Sequence, residues 1–242
     1  MNTMGVFISL AFLLASIVFY NLTQRAGLSQ MQSIVALVTV VLLCPLGASL
    51  LSAIEFGHSI SKVFIGKSGS SHDGGFILGV LGLIFVARWQ KINVLSMLDA
   101  AALSWCAGHT VGRLACFFGG DGCYGIPTNS FLGMTFLHGI RPTYIPVYPT
   151  PLFESGYSLI IFVVFYYLYS RRESSGFAPP GRIFFGACSW MLLCRFAIEF
   201  IRINPKYAGF SLAQWICIPL VIGFSIANFM LPQYNKEMPL SK

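Results

Sequence analysis

The sequence predicts an all-α integral membrane protein, a bundle of about seven transmembrane helices with a long extracytoplasmic loop between spans four and five. Three observations carry this expectation. Of the 242 residues 56% are hydrophobic and only 10% are charged, whereas a soluble domain needs about 25% charge to clothe its surface. Successive apolar runs approach the roughly 20 residues a helix needs to cross the hydrocarbon core. The Lys and Arg residues fall mostly between those runs.

The spans follow in order. The first covers Gly5 to about Leu22 and lacks the positive leading segment of a cleaved signal, so it reads as a retained helix. The second runs from Met31 to about Glu55, and the third, a short one, from Gly75 to about Trp89. The fourth takes Val94 to about Phe118, and the fifth Pro151 to Tyr169. The sixth takes Ile183 to about Ile201, and the seventh Leu212 to Met230. Together they leave one transmembrane domain over residues 1–242, with no internal repeat and no room for a soluble domain. With the N-terminus outside, the inner segments hold eight cations: Arg25, Arg88, Lys91, Arg171, Arg172, Arg182, Lys236 and Lys242. The outer segments hold five: Lys62, Lys67, Arg141, Arg202 and Lys206. Cationic loops stay cytoplasmic, so the C-terminus is expected inside. The net charge of +7 forms no basic stripe, and nucleic acid is not an expected partner.

The loop from Gly119 to Thr150 is rich in Gly, Pro and aromatic residues. Pro142, Pro146, Pro149 and Pro151 oppose a regular helix there. Its aromatic content and sparse charge oppose disorder.

Ionisable side chains inside a span cost about 2.5–3.5 kcal/mol each even on insertion scales, so they mark candidate sites. The fourth span carries Asp99, Cys106, His109, Arg113 and Cys116 at steps of seven, three, four and three, which place them on one helical face. Such a stripe either lines a cleft or forms a buried network. In the sixth span Arg195, Glu199 and Arg202 also share a face. Glu199 can pair with either arginine, and the cation left over suits an anion, which guanidinium grips through a bidentate fork. Glu154 stands one turn into the fifth span, where the helix dipole alone would favour it. Glu55 and His58 read as interfacial. Asp121 has a glycine-rich setting that leaves it free to serve a site. Before the third span, in "SHDGG", His72 or Asp73 could act as a general base, and Gly74 and Gly75 admit a ligand close to the backbone.

Five of the seven cysteines, Cys44, Cys106, Cys188, Cys194 and Cys217, lie in apolar runs and act as small hydrophobes. Cys116 and Cys123 are too few for a fourfold metal site, and His109 would be a strained third ligand. No metal or other cofactor is expected, and a disulfide between the two stays open.

The segment "GHTVGRLACFFGGDGCYG" resembles the signature of the prolipoprotein diacylglyceryl transferase family. "SHDGGFILG", "YPTPLFES", "RFAIEFIR" and "GFSLAQWICIPLVIGF" resemble four further family segments in the same order. The resemblance implies seven spans, an outer N-terminus and an inner C-terminus in the bacterial inner membrane. It also implies transfer of the diacylglyceryl group of phosphatidylglycerol to the lipobox cysteine in the signal peptide of a lipoprotein precursor. Arg113 and Arg195 match the family's two functional arginines, Glu199 the carboxylate one turn beyond the second, and Gly125 the glycine closing the signature. Glu154 matches the end of the Pro-Ser-Gln segment, and Gln214 the characteristic Gln of the last span. On this expectation Arg113, Arg195 and Asp73 or His72 are catalytic. Glu199, Glu154, Asp121, Gly125, Cys116, His109 and Gln214 contact substrate. The departures are specific: the signature's Asn is Cys116, its second Asn falls at Gly119, and the acidic residue moves to Asp121. The His before Gly-Gly aligns with Asp73, the first-span Tyr is replaced by Met4, and a Gln becomes Pro151. They leave open a paralogue with another acceptor, or a phospholipid-binding protein without turnover. A transporter or channel using the same polar stripes is a third class, and flux through liposomes would detect it.

Overall fold

The computed structural model describes residues 3–55, 72–172 and 179–231, without the side chains of Glu55, His72 and Asp73. The expected interfacial His58 lies outside the described residues, and so do the cations Lys62, Lys67, Lys236 and Lys242. Seven long helices stand among the described residues. They are α1 (Thr3–Arg25), α2 (Gln30–Glu55), α3 (His72–Trp89), α4 (Val94–Gly119), α5 (Thr150–Ser170), α6 (Arg182–Ile198) and α7 (Leu212–Met230). Five segments are long and apolar enough to cross a membrane: Thr3–Arg25, Gln30–Ile54, Thr150–Ser170, Arg182–Ile201 and Leu212–Met230. The apolar part of α3, Gly74–Trp89, is shorter, and α4 carries Asp99, His109 and Arg113 along its length.

The described residues cluster as two compact units, one drawn from Met1–Val18 and Ala101–Ser241, the other from Phe19–Ala100. In the second unit α2 packs along α3. They come close at Gly47 and Gly74, where a Cβ on either residue would strike the other's carbonyl oxygen. Small residues let helix backbones meet when lipid supplies no hydrophobic drive between them. At the opposite end of α2, Gln24 Nε2 donates to Ser33 Oγ (2.8 Å) across the turn from α1.

In the first unit α6 packs on both α5 and α7, and α4 joins α5 through polar side chains. Ser155 Oγ donates to the Thr110 carbonyl at 2.8 Å. Pro149 caps α5 and Pro151 sits in its first turn, where a proline's missing N–H costs nothing. The Pro151 departure is therefore compatible with the helix start. Beyond Ile198 the α6 backbone tightens into a 3₁₀ turn, Glu199–Ile201.

The loop after α4 has more regular structure than an irregular outer loop. Strands β1 (Met134–Phe136) and β2 (Thr143–Val147) pair antiparallel across a bulge. Tyr124 stacks on Phe136 with ring centroids 4.1 Å apart, and Arg141 N donates to the Gly120 carbonyl (2.8 Å). These contacts fold the hairpin back over the end of α4. A second hairpin, β3 (Lys206–Tyr207) with β4 (Phe210–Ser211), leads into α7. Its turn residues Ala208 and Gly209 both have positive φ (50° and 87°), the mirror-image turn that suits strand twist.

Candidate active site

The site grows from a carboxylate that its own helix does not explain. Glu154 is wholly buried one turn into α5, and three arginines from two other segments converge on it. Arg113 Nε from α4 lies 2.5 Å from Glu154 Oε2, with 15% of the arginine side chain exposed. Arg202 Nη1, just past the 3₁₀ turn, lies 2.7 Å from Oε1. Arg195 Nη1 on α6 is 3.6 Å from Oε1. The dipole role expected for Glu154 is thus the lesser part; it is the shared counterion of the cluster.

Glu199 supplies the second carboxylate, also with no exposed surface. Arg195 Nη1 approaches its Oε2 at 3.0 Å and Arg202 Nε at 3.8 Å, while Asn204 Nδ2 donates to Oε1. Three guanidiniums against two carboxylates leave one positive charge in excess. The cation excess expected for the Arg195–Glu199–Arg202 row is retained, in a larger cluster that includes Arg113. Arg195 is the least committed of the three. It is 28% exposed against 14% for Arg202, and its buried Nη1 makes no aligned hydrogen bond. A desolvated excess cation is costly unless an anion completes it, and a guanidinium offers phosphate two parallel donors.

His109 links this cluster to α5. Its Nδ1 is 2.6 Å from Ser158 Oγ, and its Nε2 accepts a hydrogen bond from Arg113 Nε (3.3 Å). With Nε2 accepting, the proton sits on Nδ1 and is donated to Ser158 Oγ. Ser158 in turn donates to the Glu154 carbonyl (2.7 Å). His109 therefore aims the Arg113 side chain. The expected α4 stripe divides: Asp99 and Cys106 are fully buried, while His109, Arg113 and Cys116 keep some exposure.

The signature loop docks onto this cluster through backbone. Gly125 N donates to the Tyr148 carbonyl, Ile126 N to the Ile201 carbonyl (both 2.8 Å), and Gly125 bridges Arg202. A Cβ at Gly125 would stand 2.5 Å from the Ile201 oxygen and 2.9 Å from the Tyr148 Cβ, so only glycine lets the loop lie between α5 and the turn carrying Arg202. Thr150 Oγ1 then donates to the Cys123 carbonyl (2.5 Å). Asp121 Oδ1 accepts from Cys123 N (3.0 Å). The thiols of Cys116 and Cys123 are free, and with a carboxylate oxygen of Asp121 they lie within 4.8 Å of one another. The third potential ligand beside the two thiols is therefore Asp121, since His109 is engaged with Ser158 and Arg113. The Cys123 thiol is lowered to about 7, chiefly by its hydrogen bond with Cys116 and further by the charges of Arg113 and Arg202.

Gln214 is fully buried and closes a capping box with Ser211 at the start of α7. Its Nε2 donates to the Phe196 carbonyl (3.2 Å). One end of its amide thus caps α7 and the other ties α7 to α6. His72 and Asp73 open α3, with side chains outside the described residues. Sequence reasoning passed over Ser158 and Asn204. Ser158 had a signal, standing four residues beyond Glu154 on the same face of α5.

Fold and site together define a helical, multi-pass membrane protein with a buried arginine–carboxylate cluster that holds one positive charge in excess. The family model for prolipoprotein diacylglyceryl transferase matches residues 1–230, and the chain belongs to that family. A phosphatidylglycerol–prolipoprotein diacylglyceryl transferase of Leptospira interrogans is 34% identical over 142 residues, covering 57% of this chain and 42% of the relative. One from Prochlorococcus marinus (strain MIT 9215) is 26% identical over 212 residues, 76% of this chain and 68% of the relative. One from Parasynechococcus marenigrum is 28% identical over 200 residues, 75% and 70% of the two chains. The match to the Leptospira relative thus spans less than half of that protein's length.

Proposed function

We propose that this protein transfers the diacylglyceryl group of phosphatidylglycerol to a cysteine thiol of a lipoprotein precursor, as the names of its relatives state for them. The single observation that carries this reading is the buried cluster of Arg113, Arg195 and Arg202 on two carboxylates, one positive charge in excess. In the transfer a sulfur–carbon bond forms as the carbon–oxygen bond to phosphate breaks. The electron pair of that bond leaves on a glycerol phosphate. Negative charge develops on the leaving oxygen, and prearranged guanidiniums stabilise it most where water is excluded. Arg195 grips the phosphate, Arg113 completes the clamp, Glu154 and Glu199 orient the arginines, and His109 aims Arg113. Asp121, Gly125 and Cys116 shape the acceptor side, and Asp73 or His72 is the candidate proton acceptor.

The reading includes seven spans in the bacterial inner membrane, the N-terminus and signature loop outside and the C-terminus inside. The balance of eight inner against five outer cations supports that orientation. The test is transfer from labelled phosphatidylglycerol to a lipobox peptide by purified protein in phospholipid–detergent micelles. Wild type should form the labelled thioether and Arg113→Ala should not. A folded wild type that binds the phospholipid but forms no product rejects the proposal. It would favour instead a lipid-binding protein without turnover, a reading that the Cys116 departure from the signature supports.

A further inference from the structure

We propose that Cys116, Asp121 and Cys123 form a three-ligand site for a thiophilic divalent metal ion of the zinc class, its fourth position open to the acceptor's cysteine thiol. This deepens the transferase reading and rests on it, naming how the sulfur nucleophile is made.

The geometry carries it. All three ligand atoms lie within 4.8 Å of one another. Two zinc–sulfur bonds of about 2.3 Å at a tetrahedral angle put the sulfurs roughly 3.8 Å apart, so closing on a metal needs shifts of about an ångström. Each residue is held by separate scaffold. Cys116 sits on α4 one turn beyond Arg113. Thr150 at the start of α5 fixes the Cys123 backbone. Asp121 is folded back between Gly120 and Gly122, both at positive φ (56° and 93°). Its bond to Cys123 N engages one carboxylate oxygen, and the other can face a metal. None of the three is fully buried, which suits a site that must admit a fourth ligand. Three protein ligands and one open position is the arrangement of catalytic zinc, whereas structural zinc is closed by four.

Charge fits as well. Two thiolates, one carboxylate and a divalent cation sum to one negative charge, beside an arginine cluster with one positive charge in excess. Arg113 is near enough to interact electrostatically with Glu154 and with both thiols. A thiol reaching the open position loses its proton outright on coordination, and that proton passes through water to the candidate acceptor, Asp73 or His72. The resulting thiolate attacks the glyceryl carbon that bears the phosphate ester. The carbon–oxygen bond breaks, its electron pair leaves on phosphate against the arginines, and a neutral thioether replaces the thiolate. Having lost its charge, the product sulfur is the weaker ligand and can depart.

The experiment uses the full chain in detergent micelles under a thiol-free reductant, with Co2+ alone as the first probe. Wild type should bind one equivalent with a thiolate-to-cobalt absorption band and tetrahedral visible bands. Cys123→Ser should weaken binding at least tenfold and roughly halve the thiolate band. Cys116→Asn, which installs the family signature's own residue and so favours a folded protein, should do the same. Asp121→Ala should keep the thiolate band while shifting the visible bands. Adding a lipobox peptide should strengthen the thiolate band, and a peptide with Ser for Cys should not. Arg113→Ala should lose transfer yet keep the cobalt spectrum, which separates failure of the lipid chemistry from failure of the metal site. A reduced wild type without a thiolate–cobalt band overturns the proposal, as does an unchanged band in the Cys116→Asn/Cys123→Ser variant. Metal-free protein transferring at the full rate, or a peptide thiol that leaves the spectrum untouched, overturns it equally.

Discussion

Helices α2 and α3 meet through glycine, and helices α4, α5 and α6 meet through charge. Along α2 from Met31 to Ile54 and along α3 from Gly74 to Ala87 there is no charged residue. Their contact is made by Gly47, Gly74, Gly75, Gly79 and Gly82 against small or aliphatic neighbours. In the other unit five charged side chains from α4, α5 and the end of α6 share one buried cluster. Close packing is enough to associate two helices in lipid. Burying five charges is a costly route to the same end, so the second region is built for something besides packing. The difference separates scaffold from chemistry, and variants in each region should behave accordingly.

The largest effect is expected at Glu154. Glu154→Ala leaves three guanidiniums facing one carboxylate, and breaking a buried ion pair from one side costs about 3–5 kcal/mol. Unfolding in detergent micelles should show that loss, and added anionic lipid should recover part of it. A cost near zero would mean that water already screens the cluster, which would erase the contrast with α2 and α3.

Arg195→Ala should invert that pattern. Its contacts are longer and it is 28% exposed, so stability should fall far less than for Glu154→Ala. Losing one preorganised donor to a developing oxyanion costs about 10²–10³ in rate, and initial rates of diacylglyceryl transfer should drop by that factor. Arg195→Lys should recover only part, because ammonium cannot offer the two-donor fork. If stability and rate fell together in Arg195→Ala, the arginine would be structural and the clamp would rest on Arg113.

On the glycine side, Gly47→Leu should cost about 1–3 kcal/mol by overpacking, read as a lower unfolding midpoint. Transfer per folded molecule should fall less than in Arg195→Ala, any loss reporting on the candidate acceptor Asp73 or His72 beside Gly74. A loss of rate as large as that in Arg195→Ala would move these helices from scaffold into the reaction.

How much of this was legible in the sequence follows from the range of the interactions. Helices were legible because hydropathy is local: the expected Val94–Phe118 and Leu212–Met230 become Val94–Gly119 and Leu212–Met230. Pairs three or four apart, such as Arg195 with Glu199, were legible for the same reason. The part played by Glu154 was not, because its partner Arg202 lies 48 residues away and the dipole argument sees only one helix. Nor was the grouping of Cys116, Asp121 and Cys123, which depends on two left-handed glycines turning the chain back on itself. Strand β1 is three residues long with a bulge in its pairing, too short for an alternating pattern to register. Gln214 was legible as a landmark by family resemblance, but its use as a cap shows only in the hydrogen bonds.

That cap gives the smallest and most local test. Ser211 Oγ accepts from Gln214 N (3.2 Å) and Gln214 Oε1 accepts from Ser211 N (2.9 Å). Ser211→Ala removes one arm and should cost about 1 kcal/mol. Gln214→Ala removes the other arm and also the bond to the Phe196 carbonyl, one residue beyond Arg195. If the cap only starts a helix, the two variants should lose similar stability and leave transfer alone. If α7 also steadies the α6 segment that presents Arg195, Gln214→Ala should lower the transfer rate while Ser211→Ala does not. A matched pair of initial-rate and unfolding measurements decides between the two, and with it where the scaffold ends and the charged site begins.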